Sequence, residues 1–132
     1  MTPEALLAHC DNAALWPADR PARGPADVAA AYHDALALRA LRLARGERPV
    51  GYKIGFTNRT IRQRYGVFGP IWGPVWNTTL MRCDGQGTVD LTGTLQPRIE
   101  PKIVFGIAAT PPHDATLEQV FGCIDSLAVS LH

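Results

Sequence analysis

The chain has 132 residues, 46% of them hydrophobic and 19% charged, and this length and balance fit one soluble domain with a modest core. A net charge of +1, spread along the chain, gives no global reason to expect a nucleic-acid or anionic-membrane partner. No apolar run approaches the roughly 18–20 residues that span a bilayer, so no membrane segment is expected.

The start, Met1-Thr2-Pro3-Glu4, lacks the basic and apolar stretches of a signal peptide. A short helix is predicted from about Pro3 to Leu15, with Leu6, Leu7, Cys10 and Ala14 as its apolar stripe. Pro17, Pro21, Gly24 and Pro25 then mark a turn or exposed strap, because proline fixes the backbone and has no amide donor. The strongest helical period runs from about Pro25 to Arg45. Val28, Tyr32, Ala35, Leu38 and Leu41 share one face, Pro25 suits the first turn and Gly46 the stop. Arg39, Arg42 and Arg45 recur every three residues and read as a solvated helix face rather than a phosphate patch.

After Gly46 the period becomes two. In Val50-Gly51-Tyr52-Lys53-Ile54-Gly55-Phe56 the large apolar side chains fall on one face of a strand and Gly51, Lys53 and Gly55 on the other. A helical turn is expected from Thr57 to Tyr65 and an ordered loop from Gly66 to Trp76. In that loop Trp72 and Trp76 read as anchors ahead of substrate-stacking groups. Two strands should flank Asp84-Gly85-Gln86-Gly87. Ile99 to Ile107 reads as a buried strand, Thr116 to about Cys123 as a helix, and Ser126 to His132 as the start of another strand. Cys10, Cys83 and Cys123 are odd in number and far apart, which reads as reduced thiols in a cytoplasmic protein. His9, His33, His113 and His132 have no metal-like spacing, and His33 is expected at the surface.

Two segments carry chemistry. Lys53 projects from a strand face whose neighbours, Gly51 and Gly55, have no side chains, so a ligand could reach the backbone beside an ammonium group. Capture of a carboxylate and a solvated lysine on a closely packed strand both fit that pattern. On the later strand Glu100, Lys102 and Val104 share one face. Charges at i and i+2 in an apolar strand are costly unless paired or liganded. A Glu100–Lys102 ion pair is the simpler account, and a divalent cation held through Glu100 oxygen is the other.

Gly51-Tyr52-Lys53-Ile54-Gly55-Phe56-Thr57, Pro70-Ile71-Trp72-Gly73 and Gln96-Pro97-Arg98-Ile99-Glu100-Pro101-Lys102-Ile103 occur in the order found in one enzyme family. They resemble the glycine-lysine strand, a loop and the metal strand of the 2-keto-4-pentenoate hydratase and 4-oxalocrotonate decarboxylase family, within the fumarylacetoacetate hydrolase-like superfamily. The resemblance implies Mg²⁺ or Mn²⁺ bound by three carboxylates, a small 2-keto carboxylate substrate, and either water addition to a 2-hydroxy-2,4-dienoate in aromatic meta-cleavage catabolism or decarboxylation of a 2-oxo diacid. It assigns Lys53 as the catalytic and substrate-binding lysine and Glu100 as the first metal carboxylate. Lys102 stands where the second carboxylate is expected and becomes a candidate substrate-binding cation. The third carboxylate would lie beyond His132, and Ile71 replaces an acidic residue of the hydratases.

The expected fold is α+β, with N-terminal helices (residues 1–47) packed on a β-rich part (48–132) that forms an incomplete mixed β-roll of the fumarylacetoacetate hydrolase-like type. All 132 residues are expected to form a single, truncated domain. A non-catalytic carboxylate-binding subunit is the competing function. The unfinished sheet points to a homo-oligomer or to pairing with a homologous subunit.

Overall fold

A computed structural model of the chain describes residues 2–15 and 27–132. The proline-rich link at Pro17, Pro21, Gly24 and Pro25, with the proposed first turn at Pro25, lies outside them. The architecture is α+β and falls into two compact units, Met1–Leu95 and Gln96–His132.

The first unit opens with α1 (Pro3–Asp11), whose N-cap Thr2 accepts a hydrogen bond from the Ala5 amide at 3.2 Å. Leu6 and Leu7 are half-buried, whereas Cys10 and Ala14 are exposed, so the expected stripe holds only in its first turn. Helix α2 (Val28–Ala44) is capped by the Asp27 side chain, and Gly46 ends it with φ +91°, a conformation that suits glycine. Tyr32, Leu38 and Leu41 are half-buried, as the helical period predicts, but Val28 and Ala35 are exposed.

Strand β1 (Pro49–Gly55) pairs antiparallel with β2 (Ile71–Trp76). The second strand occupies the segment expected to be an ordered loop. Its Gly73 and Pro74 are poor strand formers, but pairing with β1 and two tryptophan anchors override local propensity. Between the strands lie a 3₁₀ turn (Arg59–Ile61) and α3 (Arg62–Tyr65), which ends at the left-handed Gly66. Arg62 donates to the Phe56 carbonyl through Nε and Nη2 at 3.3 Å each, holding the turn that leaves β1.

The expected alternation along β1 is present, but Val50, Tyr52 and Ile54 on the apolar face are 49–64% exposed. A two-stranded sheet offers two broad faces, and this unit supplies too little helix to cover one of them. Trp72 lies between Tyr32 (centroids 5.4 Å apart) and Tyr52 (5.5 Å, edge-on), and its amide donates to the Tyr32 hydroxyl at 2.8 Å. Trp76 is buried, with the Arg42 guanidinium 4.7 Å above its ring.

Arg42 and Arg45 are therefore not a solvated face. Both hold the buried Glu47 carboxylate, Arg45 Nε donating at 2.7 Å, and Arg45 also reaches Asp11 on α1 at 2.6 Å. Burial pushes the Glu47 carboxyl up, but hydrogen bonds from Arg42 and Arg45 outweigh it and leave the pKa lowered. The Asp11 pKa is lowered chiefly by its hydrogen bond from Arg45.

Residues 77–100 contain turns but neither of the strands expected around Asp84 to Gly87. The turn there is real, with Gly85 at φ +77° and the Gln86 amide on the Asp84 carbonyl at 3.0 Å. Local turn chemistry formed where expected, but no partner strand pairs with its flanks.

In the second unit β3 (Pro101–Ile107) pairs antiparallel with β4 (Ile124–Leu131) across α4 (Leu117–Gly122). A capping box starts α4: Thr116 accepts from the Gln119 amide and Gln119 Oε1 from the Thr116 amide. The expectation of a buried strand fails, because Ile103, Phe105, Leu127 and Val129 are all 49% or more exposed. An apolar strand is buried only when another layer covers it, and none in this unit does. Cys10, Cys83 and Cys123 are free thiols. Among the described residues no helix is long and apolar enough to cross a membrane.

Both carboxylates of the Arg45 cluster have lowered pKa values, so their stabilisation is complete above their unfolded values near pH 4 and disappears as pH falls through the folded ones. Tryptophan fluorescence should therefore report loosening of the first unit below about pH 4, and Glu47→Gln should flatten that acid limb. Trp76→Ala should cost about 3–5 kcal/mol in urea unfolding, as for other buried tryptophans.

Candidate functional site

Lys53 sits mid-strand in β1, and the register places Gly73 of β2 directly across from it. Along its own strand the neighbours on that face are Gly51 and Gly55. A Cβ added at Gly51 or Gly73 would meet no atom within 4 Å, whereas one at Gly55 would touch Ile71 Cγ1 at 3.5 Å. The lysine thus rises from a floor of bare backbone with an apolar wall on the Ile71 side. Gly51 and Gly55 were legible from alternation alone. Gly73 was not, because its position opposite Lys53 depends on strand register.

Glu100 and Lys102 come together on one face of the second unit. Lys102 Nζ lies 2.8 Å from Glu100 Oε1, so the spacing is realised as an ion pair. Glu100 continues the β3–β4 ladder by exchanging backbone hydrogen bonds with His132 (2.8 and 2.9 Å). This brings His132 Nδ1 to 3.8 Å from Glu100 Oε2. Residues 32 apart are joined here by strand pairing, and the spacing of the four histidines gave no sign of it. Ser130, the cross-strand partner of Lys102, shares this polar face with them. On the reverse face Pro101, Ile103 and Phe105 oppose Leu131, Val129 and Leu127 in an unbroken apolar ladder.

The remaining candidates are structural. Trp72 and Trp76 anchor β2 as described above, and His33 is at the surface with Nδ1 3.9 Å from Asp34.

A divalent cation such as Mg²⁺ or Mn²⁺ needs several oxygen ligands and a net negative site. Among the described residues no three His, Cys, Asp or Glu side chains are grouped to hold one. Glu100 already has an ammonium at 2.8 Å, and lysine has no lone pair to offer when protonated. The described residues do not fit the metal that the sequence resemblance implies.

No protein-family model matches the chain. Three curated proteins do resemble it. A 4-oxalocrotonate decarboxylase of Pseudomonas sp is 32% identical over 90 residues, 68% of this chain and 34% of that protein. A 2-hydroxypent-2,4-dienoate hydratase of Pseudomonas putida is 35% identical over 75 residues, 57% of this chain and 33% of that protein. A 2-hydroxyhexa-2,4-dienoate hydratase of Comamonas testosteroni is 38% identical over 77 residues, 57% of this chain and 28% of that protein. The chain belongs to this hydratase and decarboxylase family, and it spans about a third of the length of the curated relatives it matches.

The Glu100–Lys102 pair is partly solvent-exposed, so Lys102→Ala should change the unfolding free energy by no more than about 1 kcal/mol in a urea titration. A larger loss would mean that the pair supports the β3–β4 ladder itself.

Proposed function

We propose that the chain carries the carboxylate-recognition part of a lyase of the 2-keto-4-pentenoate hydratase type, which adds water to a 2-hydroxy-2,4-dienoate in aromatic meta-cleavage catabolism. The observation that carries this reading is Lys53 on its glycine floor, within a chain related to two hydratases and a decarboxylase. A flat 2-keto acid can lie against the bare backbone of Gly51 and Gly73 with its carboxylate at the lysine ammonium, a charge-assisted contact that fixes orientation as well as affinity. In this role Lys53 is the catalytic and substrate-binding residue; Lys102, in the second unit, is proposed on its own as a substrate-binding cation.

Decarboxylation of a 2-oxo diacid is the alternative chemistry, favoured by the apolar Ile71 beside Gly55. A carboxylate-binding subunit without turnover is favoured by the ion pair that engages Glu100. The finer fold proposal is that the two sheets are parts of a single, incomplete mixed β-roll domain of the fumarylacetoacetate hydrolase-like type. Their exposed apolar faces support a homo-oligomer or pairing with a homologous subunit. A cytoplasmic location accords with three free thiols.

Titrating the chain with 2-oxopentanoate by calorimetry should give saturable binding, weakened at least about tenfold by Lys53→Ala with circular dichroism unchanged. Absence of binding to the wild-type chain would sink the reading. Water addition to the dienoate, or CO₂ release from the oxo diacid, then separates hydratase from decarboxylase, and neither supports the carboxylate-binding subunit. Sedimentation should show concentration-dependent association, whereas a monodisperse monomer at all concentrations would overturn the oligomer.

A further inference from the structure

The second unit places a cation of its own beside Glu100, the residue that the resemblance assigns as a metal carboxylate. Lys102 and Glu100 project from the same strand face, two residues apart, with Nζ 2.8 Å from Oε1. His132, fixed across the ladder by two backbone hydrogen bonds, flanks the other oxygen at 3.8 Å. Any metal approaching Glu100 would displace the ammonium from its partner or stand beside it as a like charge. Among the described His, Cys, Asp and Glu side chains it would gain one carboxylate and one imidazole in return. A hard, strongly hydrated ion does not shed water for so small a donor set.

We infer that Lys102 is a built-in replacement for the divalent cation: it closes the Glu100 site to Mg²⁺ and Mn²⁺ and makes carboxylate recognition on this face metal-independent. The ligand-binding half of the inference rests on the function proposed above; the exclusion of metal stands on the Lys102–Glu100 geometry. On the polar face Lys102 has the small Ser130 directly across the ladder, whereas farther along the strand the space above Gly106 is filled by Ser126 Oγ.

The test is a Mn²⁺ titration of the full chain, reading free Mn²⁺ by electron paramagnetic resonance, with wild type, Lys102→Gln and Lys102→Glu. Wild type should show no saturable binding below the order of 1 mM. Lys102→Glu, which places two carboxylates on one strand face, should bind at least about tenfold more tightly, and Lys102→Gln should gain less. Wild-type binding of 2-oxopentanoate should be unchanged by EDTA. The inference is overturned if wild type binds Mn²⁺ as tightly as the glutamate variant, or if a folded glutamate variant gains nothing. If Lys102→Glu fails to fold, Lys102→Gln decides, since it must still bind more tightly than wild type. Failure of 2-oxopentanoate to bind wild type in either buffer would overturn the proposed function and the ligand-binding half, leaving the Mn²⁺ result to judge the exclusion of metal.

Discussion

Glu47 held between two guanidiniums is the constraint on which the first unit depends. The carboxylate sits in the turn between α2 and β1; Arg42 comes from the last turn of the helix and Arg45 is its C-cap. Burying one carboxylate is costly, and two arginines with fixed donor geometry offset the cost while fixing the angle at which the chain leaves the helix. Arg45 passes the constraint to α1 through Asp11, and Arg42 passes it to β2 through the Trp76 ring. The cluster lies next to Pro49, where β1 begins opposite Trp76.

Beyond that cluster the chain buries little. Each unit presents a two-stranded sheet whose apolar face is open: Tyr52 and Ile54 in the first, Ile103, Phe105, Leu127 and Val129 in the second. Two strands without a covering layer are marginal in water. The apolar alternation of both sheets leaves those faces uncovered, and the polar faces hold the candidate site residues. Lys53 stands on the glycine face of one sheet, and Glu100, Lys102 and His132 on the polar face of the other.

Ancestry and chemistry part at position 102. Kinship to hydratases and a decarboxylase is carried by long motifs, whereas metal chemistry hangs on the charge of a few side chains. An ammonium where the resemblance implies a carboxylate changes the sign of the charge at that position of the face. Glu100 is instead the ion-pair partner of Lys102.

The sequence by itself determined the features set by neighbours along the chain. These include the existence of the helices, the stop at Gly46, the alternation around Lys53, the shared face of Glu100 and Lys102, and the family. Each depends on backbone geometry over a few residues or on a contiguous motif. Tertiary structure decided what depends on distant partners. Arg42 and Arg45 looked solvated until Glu47 folded back against them, and Ile71 to Trp76 became a strand only by pairing with β1. Gly73 came opposite Lys53 through register, and His132 reached Glu100 across a ladder joining residues 32 apart. Burial was the least legible property. An apolar strand records that it can be covered, but only the presence of a covering layer decides whether it is.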